Sequence, residues 1–310
     1  MSQPSYLRLY ESGLLEERIQ KARELMLDCR LCPRQCGVDR TAGETGVCQT
    51  GTRAWVSSFN AHFGEEEPLV GSRGSGTIFF THCNLLCLFC QNYDISHKGH
   101  GQKVEPEVLA GLMIELARAG CHNINFVTPT HVVPQILEAL PMAIRAGLDR
   151  PLVYNSSGYD SVETLRLLDG IFDIYMPDFK FWDNEAARKY CGVSDYRERA
   201  CEAILEMHRQ VGDLDLDEDA VATRGLLVRH LVMPGDLAKT REICRFLADE
   251  VSTRTYINIM GQYHPCGRAD EFQELTEPLT RSELRRAKKM ARDAGLERLD
   301  QRRRLSFMIV

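Results

Sequence analysis

Cys83, Cys87 and Cys90 are the residues whose spacing most directly suggests chemistry. Ahead of them, Thr77 to Thr81 is a run of β-branched and aromatic residues that reads as a short buried strand. Cys83-x3-Cys87-x2-Cys90 therefore falls on a strand-end loop that can turn three thiolates toward one volume. Three close thiolates, with no His or fourth Cys in the same loop, suit a 4Fe-4S cluster that keeps one iron unligated by protein. Structural zinc asks for a closed set of four, and catalytic zinc more often takes His or carboxylate. The plain alternative is three packing thiols, for which such a loop is a poor location.

A second thiol group precedes it. Cys29-x2-Cys32-Pro33-x2-Cys36-Gly37 is followed by Thr41-Ala-Gly43-Glu-Thr-Gly46-Val-Cys48. Pro33 and Gly37 exclude a continuous helix, and Gly43 and Gly46 allow tight turns. Cys29, Cys32, Cys36 and Cys48 read as a metal knuckle, either zinc or a second 4Fe-4S cluster, against packed or redox thiols; spacing does not choose the metal. Cys121, Cys191, Cys201, Cys244 and Cys266 share no spacing and read mostly as packing residues.

The elements that must position these thiols follow from periodicity. Strands are expected at 76–81, 123–128, 151–155, 172–176, 225–233 and 254–260, with helices near 105–119, 131–147, 161–169, 184–211, 237–250 and 280–294. Such alternation marks an α/β fold with a parallel sheet or barrel, in which chemistry sits at the carboxyl ends of the strands. A helical leader is expected over 6–28, with Leu14, Leu15, Ile19, Ala22 and Leu25 on one side, and a short strand over 53–58. The run Glu65-Glu66-Glu67 reads as a solvated loop, and Asp213 to Asp219 as an acidic hairpin or linker, since it lacks the Gly and terminal Glu of a calcium loop. The expected division is an N-terminal leader and Cys-rich extension (1–72), a barrel core (73–268) and a C-terminal helix and tail (269–310), the tail docking on the body or a partner.

Composition narrows the partners. The chain has 310 residues, 26% charged and 44% hydrophobic, and a formal net charge of −6, which offers no general attraction to nucleic acid. No signal peptide and no run of membrane-spanning length is evident, so a cytoplasmic protein is expected. In that compartment twelve cysteines point to metal or redox chemistry before disulfides.

The loop Phe79-Phe-Thr-His-Cys83-Asn-Leu-Leu-Cys87-Leu-Phe-Cys90-Gln-Asn resembles the cluster loop of the radical S-adenosylmethionine (SAM) superfamily. Within it, the loop is most similar to glycyl-radical-enzyme activating enzymes and the PflX-like proteins related to pyruvate formate-lyase activating enzymes. The resemblance covers roughly residues 28 to 266. It implies a partial (β/α)6 TIM-type barrel, a 4Fe-4S cluster on Cys83, Cys87 and Cys90, and SAM, with Phe89 near its adenine. Thr128-Pro-Thr130-His stands where activating enzymes carry Gly-Gly-Glu, so Thr128 and Thr130 either meet the SAM ammonium or, for Thr130, cap a helix. Asn155-Ser-Ser157-Gly158 resembles the Thr-Asn-Gly turn near the cofactor, though an ordinary turn would look alike. Asp178-Phe-Lys180 resembles the family's Asp-x-Lys pair, which helps hold SAM; on an extended segment both side chains face one way. Arg229 is the favoured cation of the fifth strand, with His230 second, because alternation lets one of them face the lumen. His264, in Tyr-His-Pro, resembles the His beside the SAM adenine or ribose.

The resemblance further implies that an electron from a donor such as flavodoxin or ferredoxin cleaves SAM to methionine and a 5′-deoxyadenosyl radical, which takes a hydrogen atom. The target would be a glycine of a partner glycyl radical enzyme. The alternatives are a small molecule or other peptide, a non-catalytic iron-sulfur electron-transfer protein, or a zinc-stabilised interaction module.

Overall fold

The computed structural model describes residues 3–301; the expected docking of the tail falls on 302–310, outside the described residues. Among the described residues ten strands form one sheet: β1 (Ala54–His62), β2 (Ser75–Phe80), β3 (Gln102–Val104), β4 (Ile124–Val127), β5 (Leu152–Ser156), β6 (Ile174–Pro177), β7 (Asp215–Leu216), β8 (Ala222–Leu231), β9 (Tyr256–Met260) and β10 (Arg298–Leu299). Their order is β10-β9-β8-β6-β5-β4-β2-β1-β3, with β7 paired to β8. From β2 to β10 successive neighbours are parallel; β1 pairs antiparallel with both β2 and β3 and extends one edge. The fold is thus α/β with a mostly parallel sheet, consistent with a partial barrel.

Alternation along the strands sorts side chains onto two faces. Phe126, Tyr154, Tyr175, Val228 and Ile257 join the large core beneath the helices. Val153, Ile174, Met176 and Leu227 join a smaller core on the opposite face, which is filled by Leu69 from the short helix Glu67–Val70. With both faces covered, a strand such as Leu-Val-Tyr-Asn-Ser is buried at every position, as parallel sheets require.

Several expected elements differ in detail. The leader is two helices, Ser5–Glu11 and Leu14–Leu27, because Gly13 between them takes a left-handed φ of 78°. Leu15, Ile19 and Ala22 are buried as expected, whereas Leu14 is exposed. The helix expected over 184–211 is also two, Asn184–Cys191 and Tyr196–Val211, with Gly192 ending the first. The helix expected over 237–250 begins at Thr240 and finishes in a wide π-type turn, Leu247–Val251. The acidic segment before β8 forms the hairpin with β7.

The leader is tied to the sheet by polar contacts as well as by packing. Tyr6 is buried and its hydroxyl donates to the Arg150 carbonyl at 3.0 Å, while the Ser5 N–H donates to Asp173 Oδ1 at 2.9 Å. Arg40, also buried, donates from Nη1 to the His131 carbonyl at 3.0 Å. The His131 ring lies 2.9 Å through Nε2 from the Thr81 carbonyl, so Nε2 carries the proton.

Burial lowers the His131 pKa to about 3, so the folded protein holds it neutral. An unfolded chain protonates the same ring near its ordinary value of about 6.5. Its contribution to stability is therefore present at neutral pH and is lost as pH falls from that value toward the folded one. Between pH 6.5 and pH 5 the wild type should lose about 2 kcal/mol more unfolding free energy than His131→Gln in urea titrations.

Candidate active site

The C-terminal ends of the parallel strands open onto a cavity of about 240 Å³. Its wall contains Cys83, Cys87, Phe89, Cys90, Thr128, Asn155, Ser157, Asp178, Lys180 and Arg229. Ten residues expected at the site, from five strand ends, therefore meet in one volume. His82, Gln91, Ser96, Met260 and Gln262 also line it.

The loop after β2 is held in an uncommon shape. His82 and Leu86 take φ of 64° and 58°, the left-handed region that non-glycine residues rarely adopt. Contacts from several directions over-determine it: His82 N–H to the Ile95 carbonyl at 2.8 Å, Leu88 N–H to the Tyr190 carbonyl at 2.9 Å, and Asn84 Nδ2 to the Tyr159 carbonyl at 2.7 Å. Arg34, from the N-terminal Cys-rich segment, donates to the carbonyls of Asn84, Leu85, Cys191 and Gly192 at 2.9 to 3.1 Å. Phe89 is fixed edge-on to Phe181, with ring centroids 5.8 Å apart, and packs on Tyr263 at 6.3 Å.

The same wall carries an ion network that is largely shielded from water. Asp178 Oδ2 accepts from Lys180 Nζ at 2.6 Å and Oδ1 from Arg229 Nε at 2.8 Å. Arg229 also donates to Asn155 Oδ1 at 2.7 Å and reaches Glu65 Oε2 at 3.3 Å. Burial alone would raise the Asp178 pKa, but Arg229 and Lys180 overcome it and hold the carboxyl below its ordinary range. Burial likewise works against the Lys180 ammonium, and Asp178 outweighs it, leaving the pKa raised. Behind Asp178, Gly158 presses on the Asp178 carbonyl so closely that a Cβ would stand 2.2 Å from the oxygen.

This network corrects the reading of the acidic run. Glu65 and Glu66 are buried, not solvated. Arg229 needs anionic partners inside the sheet, and Asn258 Nδ2 donates to Glu66 Oε1 at 2.8 Å. Burial raises the Glu66 pKa against the pull of Arg229.

Other expected residues stand apart from the cavity wall. Thr130 is buried and donates to Asp160 Oδ1 at 2.7 Å, joining Tyr154 and Ser156, which donate to the same carboxylate at 3.0 and 2.6 Å. Its position just past a strand end made it look accessible, but the left-handed turn at Thr128, φ 62°, sends Thr130 inward. His264 is exposed, with Nδ1 3.0 Å from the Gln262 carbonyl. His230 faces away from the lumen, its ring bracketed by the Phe179 carbonyl at 2.7 Å and Thr240 Oγ1 at 2.9 Å, so Arg229 alone of that pair faces inward. Asp160 and Ser96 carry no motif and emerge only in three dimensions, as do the roles of Glu65, Glu66 and Cys191, which the sequence shows only as an acidic run and an isolated thiol.

The thiols fit a polynuclear group better than a single ion. Among the described residues, no three or more His, Cys, Asp or Glu side chains converge on one metal-ion position. A cubane offers a different iron to each thiolate, so its ligands need no such convergence. Burial, with Cys87 adding, pushes the Cys83 thiol up to about 12. Burial also raises Cys90, while the hydrogen bond shared by the Cys87 and Cys191 thiols and burial raise Cys87, so the chain alone leaves all three as thiols, and a metal bound there would have to displace the protons. On the cavity wall Ser157 Oγ is buried without a hydrogen-bond partner in the protein, as expected of a surface made for a polar ligand. Among the N-terminal thiols, burial pushes Cys32 up to about 12, with Cys48, Cys29 and Cys36 near enough to add to the effect.

A three-thiol loop at the mouth of a mostly parallel α/β sheet is consistent with what comparison with known proteins shows: residues 77–247 match the radical SAM superfamily model, and the chain belongs to that superfamily. It is 31% identical over 301 residues to the uncharacterized protein MJ0674 of Methanocaldococcus jannaschii, covering 94% of this chain and 82% of that one. Membership implies a SAM-dependent radical enzyme with a 4Fe-4S cluster. Among the described residues no helix is long and apolar enough to cross a membrane.

Replacing Asp178 by Asn should leave two buried cations without their shared counter-charge, costing about 3–5 kcal/mol in denaturant unfolding. Asp178→Asn should therefore lower the melting temperature far more than the exposed control Asp94→Asn.

Proposed function

We propose that Cys83, Cys87 and Cys90 hold the 4Fe-4S cluster and that SAM occupies the cavity between them and the Asp178–Lys180–Arg229 network. The observation that carries this is the meeting of three thiols and two largely shielded cations on the wall of one cavity. When bound, the cluster supplies the electron that cleaves SAM to methionine and a 5′-deoxyadenosyl radical.

The chain's own part is binding and orientation. Lys180 suits the SAM carboxylate as a charge-assisted donor, and Asp178 fixes the angle at which the ammonium is presented. Arg229 is oriented by Asp178, Asn155 and Glu65 together. Ser157 Oγ offers a hydroxyl with no competing partner, and Phe89 offers an apolar wall for the adenine. Thr128 lines the same cavity, whereas Thr130 acts through Asp160, and His264 would need its loop to fold inward to reach SAM.

The sheet's inner face beneath the cavity is filled by Leu69 and its neighbours, so a substrate must present its hydrogen at the strand-end mouth. The likeness of the cysteine loop to that of activating enzymes is what supports a reaction in which a partner enzyme offers a backbone glycine at that mouth. A flavodoxin or ferredoxin is the proposed electron donor. Cys29, Cys32, Cys36 and Cys48 are proposed as a second metal or cluster site within an N-terminal extension ahead of the barrel core, in a cytoplasmic enzyme.

Anaerobically reconstituted protein given dithionite and SAM should release 5′-deoxyadenosine and methionine, and Lys180→Met should raise the KM for SAM at least ten-fold. Iron-loaded protein that binds no SAM and releases neither product would instead be an electron-transfer protein. In the Cys83→Ala, Cys87→Ala, Cys90→Ala triple variant, metal retained after desalting should report the N-terminal site, and its identity as iron or zinc is read by elemental analysis.

A further inference from the structure

The three cluster-loop sulfurs share a feature that their spacing does not show. As thiolates, each accepts a hydrogen bond from a different kind of donor, and Cys83 and Cys90 take a further backbone N–H each, from Leu86 and Asn92. Leu85 N–H reaches Cys83 Sγ at 3.3 Å, the Cys191 thiol reaches Cys87 Sγ at 3.4 Å, and the Ser96 hydroxyl reaches Cys90 Sγ at 3.3 Å. All three distances suit hydrogen bonds to sulfur, which is larger than oxygen.

Two of these donors are side chains held in place by contacts of their own. Cys191 is buried at the end of the helix Asn184–Cys191. That helix end is pinned by the Tyr190 carbonyl, which accepts from Leu88 N–H at 2.9 Å, and by Arg34, which donates to the Cys191 and Gly192 carbonyls at 3.1 and 2.9 Å. Ser96 lies in the short helix Tyr93–Ser96, with its Oγ 2.8 Å from His97 Nδ1. The His97 ring is stacked on Tyr93, with centroids 4.1 Å apart. With the proton on Nδ1, His97 donates to the Ser96 oxygen and frees the hydroxyl proton for Cys90.

We propose that Cys191 and Ser96 are hydrogen-bond donors to the cluster's thiolate ligands and set its reduction potential. The proposal rests on the assignment of the cluster to Cys83, Cys87 and Cys90. Reduction adds negative charge that spreads onto the ligand sulfurs, and a donor aimed at a sulfur stabilises the reduced state more than the oxidised one. Both donors therefore move the potential in the positive direction, making the cluster easier for a donor protein to reduce. Cys191 and Ser96 act through the ligands and are positioning residues, not catalytic ones. Cys191, with no motif spacing of its own, thereby acquires a role beyond packing.

The test is an anaerobic reductive titration of the reconstituted full-length chain, followed by electron paramagnetic resonance, on wild type, Cys191→Val, Cys191→Ser, Ser96→Ala and the Cys191→Val, Ser96→Ala double variant. The signal that changes on adding SAM identifies this cluster, should the N-terminal thiols hold another. Cys191→Val and Ser96→Ala should each shift the midpoint to more negative potential, and the double variant by about the sum, since the two donors serve different sulfurs. Cys191→Ser, which keeps a donor, should return toward wild type. In deuterated buffer, a deuteron coupling to the cluster should weaken in Cys191→Val.

Midpoints of Cys191→Val and Ser96→Ala that coincide with wild type overturn the proposal while leaving the cluster assignment intact. Wild-type protein that loads no iron on the loop overturns the assignment itself. The midpoint is read on the loaded fraction, so reduced loading does not mask it. If Cys191→Val holds no cluster, Ser96→Ala decides, and an unmoved midpoint there counts against the proposal.

Discussion

One carboxylate shared by two cations governs the arrangement of the site. Asp178 is held between Lys180 and Arg229, largely out of water, and is the counter-charge that the two cations share. Because both carboxylate oxygens are occupied, each cation is held in a fixed place on the wall of the cavity that the cysteine loop also lines. The surrounding structure serves this arrangement. Gly158 leaves room for the turn of β5 to press on the Asp178 carbonyl, and Tyr196 donates to that carbonyl at 3.0 Å. Asn155 and Glu65 take the remaining directions of the Arg229 guanidinium.

On the other side of the cavity the constraint is conformational. The cysteine loop needs left-handed backbone at His82 and Leu86, which costs about 1–3 kcal/mol for each strained residue. The loop keeps its shape because the N-terminal Cys-rich segment and the end of the helix Asn184–Cys191 hold its carbonyls and amides. Arg34 lies between Cys32 and Cys36 in sequence, so the two thiol groups meet mechanically through one guanidinium. The leader is accordingly continuous with the large core, which includes Tyr6, Leu15 and Ile19.

Much of this was legible in the sequence because it depends on local pattern. Hydrophobic pattern located six of the seven parallel strands, the two-residue β10 being too short to leave one, and thiol spacing located the loop. Asp178 and Lys180 could be paired because residues two apart on an extended segment share a side. Choosing Arg229 over His230 needed the register of β8, which the sequence narrows to one of the two. Glu65 and Glu66 were misread because three consecutive carboxylates look solvated until a buried cation elsewhere in the chain claims them. Thr130 was misplaced by one left-handed residue, Thr128, that no propensity forecasts. Cys191 and Ser96 could not be found by spacing at all, since their partners are set by the packing of helix ends against the loop.

The central claim is that SAM lies between the three thiols and the Asp178-held cations, with its amino acid end on the iron the protein leaves free. Electron-nuclear double resonance on the reduced, loaded enzyme, with SAM carrying nitrogen-15 at the amino group and oxygen-17 in the carboxylate, tests it most directly. Direct coupling of both nuclei to the cluster is the predicted result. A loaded, reduced cluster on Cys83, Cys87 and Cys90 that shows neither coupling at saturating SAM would contradict it.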